Sequence, residues 1–538
     1  MTEKQKQQMY YFFFLWIGFL FFWNIWLNDI WTANEAFYAE AVREMFEKHN
    51  FLDIYYNYEP RFNKPPLTYW LMAISAFIFG MTEFAMRLPI VLAGIGSIFL
   101  TFLIGKKLHG TEVGILSAFI IAFSIQFYSN SRYASPEIPL TFFFLLTLYL
   151  FIVGYKENKW KYILYSYFAL ILTIWTKGYP YMILIGLIVF IYILWDVNFN
   201  FKKFLEKLKF LKLHIGIPLV LVFGFWWFVY MYIKFGNEFL DVYMEETLKR
   251  AIAKKSNGLA DLFFYPYVIL WGFLPYSLAF YFSLFGYLKN WKRIKEISFV
   301  ITWFLVMLIV FTIAKGKVPT YFIQAHGAMS IILAYFIVNY KFKNWLVKIP
   351  WMASFFTAGL IILFIEGYLI YQFDLDKLYY IVILFPLLYA IRYKDFVFFP
   401  FNSALTLFFV IVISILPIIE IYRPYDKIGV AIDDSFVPNS TPLLVEGRFI
   451  HNLPFYAKRK EIGKLNLEQL KERFKQKKFL ALVKEEDFHY FKNAEVLWIG
   501  YIYKKSSESR FAILIKSVLK AKKGDMSKFE KMYLVYRP

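Results

Sequence analysis

The chain has 538 residues, 59% of them hydrophobic and 23% aromatic, with a mean hydropathy of +0.48. Soluble domains average about 45–50% apolar, so this composition excludes an ordinary soluble protein and predicts a polytopic membrane protein. Cysteine is absent and the net charge is +21; disulfides and thiol ligands are excluded, and nucleic acid is set aside as a partner because the basic residues lie between apolar runs.

Residues 10–27 form a span-length apolar run behind Lys4 and Lys6, with no small-residue cleavage site after it. This predicts an uncleaved first membrane helix with a cytoplasmic N-terminus. Residues 28–83 follow as a first outer loop. Thr32 and Glu35 have the spacing of a capping box, in which the hydroxyl takes one free N–H and the carboxylate another. Tyr38, Val42, Met45 and Phe46 fall on one helical face, with Glu40, Arg43, Glu44 and Glu47 elsewhere, which predicts an amphipathic helix lying in the membrane interface. Pro65 and Pro66 drive Lys64 into an extended conformation and hold its ammonium at a defined bend. The run 67–80 reads as a re-entrant or interfacial helix.

Further spans are predicted near 84–105, 114–132, 139–155, 161–176, 178–197, 213–235, 261–288, 297–314, 321–340, 351–371, 378–393 and 401–420. With the first, the count is about thirteen. Alternate connections are rich in cations, among them Lys106 and Lys107, Lys156 and Lys159, Lys202 to Lys212, and Lys289 to Lys295. The positive-inside rule puts these in the cytoplasm and the loop 28–70 and the C-terminus outside. Lys177, Lys249, Arg250, Lys254, Lys255, Lys315 and Lys317 then fall on the outer side, where cations are disfavoured, and point to an anionic ligand.

From residue 421 charge rises and apolar runs shorten. TPLLVEG, FLALVKE, AEVLWIGYIYK and RFAILIKS read as strands, and LNLEQLKERFKQK as an amphipathic helix carrying Leu467, Leu470 and Phe474. Residues 421–538 are expected to form a small α/β extracytoplasmic domain.

NEAFYAEAVREM followed by FNKPPLTYW resembles the first outer loop of the ArnT-type lipid A aminoarabinose transferases, multi-span GT-C glycosyltransferases related to the protein O-mannosyltransferases. Glu35, Tyr38, Ala39, Glu40, Arg43, Glu44, Met45, Lys64 and Pro65 match the family pattern. Two positions depart: the family's first Asp is Asn34, and its acidic residue before the Lys is Asn63. SNSRYASPEIPL places Glu137 at a second-loop acid, TKGYP places Lys177, and KGKVPTYF places Lys315, Lys317 and Tyr321 in two further family stretches. HNLPFYAKRKEI also resembles the family's C-terminal region.

The resemblance implies a mainly α GT-C fold, with residues 1–420 as a transmembrane catalytic domain capped by interfacial helices of the first loop. It implies transfer of a sugar from a polyprenyl (undecaprenyl) phosphate to an outer-leaflet acceptor, in the family a lipid A phosphate receiving aminoarabinose. It places Asn34, Glu35 and Glu137 at the reacting centre, and Lys64, Lys177, Lys315, Lys317, Tyr321 and Arg61 around the donor phosphate. A carboxylate near the membrane edge suits proton transfer, and cations there suit a phosphate leaving group.

Blander readings stand beside these. Glu35 can serve only as a helix cap, Glu137 as a solvated loop acid, and each Lys as a residue snorkelling to the headgroups. Six histidines show no paired metal spacing, and His326 reads as a core histidine. No cofactor is assigned; a divalent cation, as a hydrated Mg2+ at Glu35 or Glu137, stays open. Three rival functions also stay open: a transporter, an inactive transferase-like protein, and a protein O-glycosyltransferase.

Overall fold

The computed structural model describes residues 3–249, 252, 258–340, 344–393, 395–475, 478–505 and 511–538. Arg250, Lys254 and Lys255 lie outside the described residues. Backbone in hydrocarbon must satisfy its own hydrogen bonds, and the apolar runs accordingly form helices. Among the described residues, eight are long and apolar enough to cross a membrane: Glu83–His109, Glu137–Glu157, Tyr179–Asp196, Leu213–Phe235, Lys292–Ile313, Pro319–Asn339, Trp345–Gln372 and Phe399–Glu420. Four apolar helices are shorter: Leu67–Phe79, Thr111–Ala122, Leu259–Gly272 and Tyr379–Tyr393.

The elements around the first loop are α1 (Glu3–Phe22), α2 (Ala33–Glu47), the hairpin strands β1 (Tyr55–Tyr56) and β2 (Glu59–Pro60), α3 (Leu67–Phe79) and α4 (Glu83–His109). Next come α5 (Thr111–Ala122), α6 (Ile125–Asn130), α7 (Glu137–Glu157), α8 (Trp160–Lys177) and α9 (Tyr179–Asp196). Helix α4 packs against α5 and α7, and α7 against α8. Glycine sets the α4–α5 approach: a Cβ on Gly114 would stand 2.7 Å from the Phe102 carbonyl oxygen, so small residues let the two backbones touch.

Two predicted spans are broken. The run 114–132 forms α5 and the short α6, and the run 261–288 forms Leu259–Gly272 and Ser277–Lys289. The breaks face one another, with the Ile125 N–H donating to the Leu274 carbonyl at 3.0 Å. A helix interior has no such free groups, so the second break supplies the acceptor that the Ile125 N–H at the first one needs. His326 lies beside them, Nδ1 3.0 Å from Ser124 Oγ and Nε2 3.2 Å from Gln126 Oε1, and is the core histidine expected of it.

Helix α2 is amphipathic as expected and is packed on both faces. Its polar face is covered as well as its apolar one: Glu35, Glu40, Arg43 and Glu44 are buried with Tyr38, Val42 and Met45. The charges are matched internally. Arg43 donates to Glu40 at 2.8 and 2.7 Å and to Glu47 at 2.6 Å, and Glu44 accepts from the Tyr58 N–H at 2.9 Å. Asn57 and Tyr58, at φ 53° and 65°, form the tight turn of the β1–β2 hairpin. Period alone shows which residues share a face, not that a second layer covers the polar one.

The C-terminal region is a five-stranded sheet of β3 (Leu443–Glu446), β4 (Ile462–Leu465), β5 (Phe479–Lys484), β6 (Glu495–Tyr503) and β7 (Phe529–Arg537), ordered β4-β3-β5-β7-β6. β3 runs parallel to β4 and β5, and β7 antiparallel to β5 and β6. Helix Leu467–Phe474 forms as predicted, with a full capping box from Asn466 and Gln469. RFAILIKS is not a strand: Phe511–Lys522 is a helix. Leu514, Val518 and Ala521 share its buried face and pack on Ile415 and Ile419 of the last long helix, a helical spacing that the short apolar run conceals. Strands β4 and β7 were not foreseen.

The two regions are sewn to the start of the first loop. Arg423 donates to the carbonyls of Asp29 at 3.2 Å and Ile30 at 2.7 Å. Glu420 accepts from Asn28 at 2.6 Å and from the Asp29 N–H at 3.0 Å. Tyr456 accepts from the Ile30 N–H at 2.7 Å and donates to Glu83 at 2.7 Å.

Candidate active site

Three cations, Lys64, Lys177 and Arg61, and two carboxylates, Glu137 and Glu246, gather where the first loop meets the starts of α7 and α9. Glu137 opens α7 and Lys177 closes α8; Lys177 Nζ lies 2.9 Å from Glu137 Oε1, with both side chains buried. The second oxygen, Glu137 Oε2, is buried and has no partner within the protein. Lys64 Nζ lies 3.3 Å from Glu246 Oε2 and donates to the Asn63 carbonyl at 3.0 Å. Burial lowers the Lys64 pKa most; Glu246 opposes this, while Lys177 and Arg61 add to it, and the outcome is about 8. Arg61 lies over the Phe37 ring at 4.1 Å, and its buried Nε has no acceptor.

Aromatic hydroxyls close the chamber. Tyr38 and Tyr69 stack at 4.4 Å, their buried hydroxyls close to each other and to Arg61 but in no well-formed hydrogen bond; Tyr38 senses the charges of Glu137 and Arg61. Lys177 sits 5.0 Å from the Tyr321 ring and 5.9 Å from Tyr181. Buried polar atoms in folded proteins are nearly always paired. The clustered cations and poorly paired donors leave hydrogen-bonding capacity here, and Glu137 Oε2 leaves an acceptor.

Glu35 is placed differently. It is fully buried and held by Arg87 Nε at 2.7 Å and Nη2 at 3.0 Å. It also accepts from the Ala134 N–H at 2.7 Å and from the Trp31 N–H. Burial acts to raise its pKa, but the Arg87 charge and these bonds outweigh it and hold the carboxyl below its usual range. Four donors on two oxygens fill its acceptor capacity. Thr32 Oγ1 caps the Glu35 N–H at 3.2 Å, so half of the predicted capping box forms; the carboxylate reaches Trp31 rather than Thr32. Arg87 itself donates to the carbonyls of Ile25 and Asn28 at 2.8 and 2.6 Å and so locks the loop entrance to α4. Asn34 precedes Glu35 on α2 and is half-buried.

The remaining lysines stand apart. Lys315 is exposed. Lys317 turns back to cap the helix before it, donating to the carbonyls of Phe311, at 2.9 Å, and Thr312. Tyr321 alone of the KGKVPTY stretch faces Lys177. Among the described residues, no group of three or more His, Asp or Glu could hold a metal ion; Glu35 is saturated by N–H donors, and Glu137 is paired with an ammonium. Sequence reasoning missed Glu246, Arg87, Tyr69 and Tyr181. Only Tyr69, beside the Lys-Pro-Pro bend in FNKPPLTYW, carried a local signal.

A family model described as dolichyl-phosphate-mannose-protein mannosyltransferase matches residues 63–226, a stretch containing Lys64, Glu137 and Lys177. ArnT from Cupriavidus metallidurans, solved bound to undecaprenyl phosphate, shares the fold at TM-score 0.75 and 15% identity, over 99% of this chain and 98% of that one. The fold is that of the GT-C membrane glycosyltransferases. An Aquifex aeolicus protein described as uncharacterized is 34% identical over 82% of this chain and 85% of its own length. The undecaprenyl phosphate-alpha-4-amino-4-deoxy-L-arabinose arabinosyl transferase of Wigglesworthia glossinidia brevipalpis is 28% identical, over 65% of this chain. That match spans 63% of the Wigglesworthia protein, a little under two thirds. The chain is of one family with that Aquifex protein, and it is similar to the ArnT-type GT-C glycosyltransferases.

Proposed function

We propose that the protein transfers a sugar from a polyprenyl-phosphate donor to an acceptor at the outer leaflet, preferably a lipid A phosphate receiving an aminoarabinose-type sugar. The observation that supports this most is the gathering of Lys64, Lys177 and Arg61 in one largely buried cluster, where two carboxylates, Glu137 and Glu246, only partly match them. In the transfer, an acceptor oxygen attacks the anomeric carbon, the bond from that carbon to the phosphate oxygen breaks, and polyprenyl phosphate leaves with the electron pair. Lys64, Lys177 and Arg61 neutralise the charge that develops on the leaving phosphate. A phosphate acceptor attacks already ionised. A hydroxyl acceptor must lose a proton, and Glu137 Oε2 is the free oxygen to take it.

Glu137 on this reading also fixes the Lys177 ammonium, and Glu35 holds the loop rather than moving a proton. The N-terminus lies in the cytoplasm of an inner-membrane protein, with the first loop and residues 421–538 outside. A second reading, protein O-glycosylation, is favoured by the mannosyltransferase model over 63–226. Purified protein with radiolabelled undecaprenyl-phosphoryl sugar, offered lipid A or a Ser/Thr peptide, separates the two. Label on lipid A supports the first reading, label on peptide the second, and no transfer to either overturns both.

A further inference from the structure

At the other end of the same helices lies a cavity of about 460 Å3. Lys107 and His109 line it from the end of α4, Lys156 from α7, Trp195 and Asp196 from the end of α9, and Lys295 from the turn before Ser298–Ile313. Helix α4 runs 27 residues from Glu83 to His109, about 40 Å at 1.5 Å per residue. Its first turns hold Arg87 against Glu35, so the cavity and the candidate active site are separated by the thickness of the bundle.

The lining is cationic. Lys156 reaches Asp196 at 3.5 Å, Lys295 donates to Asn198 Oδ1 at 2.8 Å, and Lys107 pairs with Glu157. An ammonium has three donors, so each keeps donors beyond these partners. Asp196 accepts from Tyr155 at 2.8 Å, and Glu296, also at the cavity, from Tyr335 at 2.5 Å. His109 supplies an independent sign: its Nε2 is buried with no partner within the protein, and its ring lies 4.4 Å from Tyr335. A buried ring nitrogen on a cavity that three lysines also line has its hydrogen bond left unmade.

We propose that this cavity binds a phosphate ester, the headgroup of an anionic phospholipid of the leaflet at that end. The phosphate oxygens meet Lys107, Lys156, Lys295 and His109, and headgroup hydroxyls meet Asp196 and Glu296. A membrane source is favoured because the cavity lies between ends of spanning helices, where basic pockets take headgroups, and because Trp195 and Tyr192 line it with rings suited to the interface.

The test uses the full-length protein in detergent, with dioctanoyl phosphatidylglycerol and glycerol 3-phosphate as probes and binding read by ligand-dependent thermal unfolding. The triple variant Lys107→Gln, Lys156→Gln, Lys295→Gln is expected to bind the lipid about tenfold more weakly or worse. The triple Lys→Arg variant should retain binding, and Lys64→Ala, at the opposite end, should leave it unchanged. If the Gln triple fails to fold, His109→Ala and Lys156→Gln singly should each weaken binding about threefold. Glycerol 3-phosphate binding abolished by the Gln triple keeps the phosphate site and assigns it to a soluble ester. Wild-type binding in the Gln triple, or loss only in Lys64→Ala, overturns the proposal.

Discussion

Lys64 Nζ stands 3.3 Å from Glu246 Oε2, so the cation braced by two prolines is already engaged by a carboxylate 182 residues away in the chain. A donor phosphate arriving at Lys64 meets that carboxylate as a competitor. Lys64→Ala is expected to weaken donor use by about 1.5–3 kcal/mol of lost charge-assisted bonding. Glu246→Gln should tighten polyprenyl-phosphate binding about two- to fivefold well below pH 8, where the phosphate itself holds Lys64 charged. Titration of purified variants with undecaprenyl phosphate checks both; unchanged affinity in Lys64→Ala removes Lys64 from the site.

The pH dependence follows from the same ammonium. Its pKa in the folded, empty protein is about 8, against about 10.4 for a free lysine. Between these values the unfolded chain binds more protons, so this group makes folding stability rise with pH across that window. Phosphate binding needs the charged form and takes up a proton there. Donor affinity should be flat below about pH 8 and fall by up to about tenfold per unit above it. Lys64→Arg should show no such fall; an equal fall in that variant assigns the effect to another group.

Glu35 and Arg87 separate structure from chemistry. Breaking a buried pair by removing one partner costs about 3–5 kcal/mol. Arg87→Leu and Glu35→Gln should therefore lower thermal stability strongly, while the folded fraction of Glu35→Gln keeps most of its turnover. A Glu35→Gln protein of native stability with no activity would return Glu35 to proton transfer.

Asn34 is tested by restoring the family residue. If Glu137 Oε2 handles the one proton at issue, Asn34→Asp should change transfer to a phosphate acceptor by less than about twofold. It should speed transfer to a hydroxyl more, and Glu137→Gln should depress the hydroxyl reaction more than the phosphate one. A wild type inert with every acceptor, beside an active Asn34→Asp, means that the chain has lost its base.

Topology is checked by fusion. Alkaline phosphatase joined after residue 421 is expected to be active, and joined near Lys207 inactive. The reverse pattern removes the outer-face assignment of both the chamber and the sheet region.

Much of this was legible because the informative residues sit in short, rigid contexts. Lys64 before Pro65 and Pro66 can be read locally, Glu137 and Lys177 are placed by the family stretches that they fit, and the structure sets Lys177 against Glu137 and near Lys64. Glu246 and Arg87 could not be read this way: nothing near either one in sequence indicates its distant partner. Lys315 and Lys317 fitted a family stretch, yet one faces outward and the other caps its own helix. The misread RFAILIKS shows the same limit, since eight apolar-rich residues fit a strand or a buried helix until their neighbours are known.

The stitching of Asp29, Ile30 and Glu83 by Arg423 and Tyr456 bears on how the protein is made. The ribosome delivers the start of the first loop 393 and 426 residues before its fasteners Arg423 and Tyr456, so contacts of very high sequence separation form last. An interrupted translation product holding every cation of the chamber would still carry an unanchored loop. Activity should then appear only when synthesis reaches the final segment, and shortened chains should be inert and exposed to quality-control proteases in the membrane.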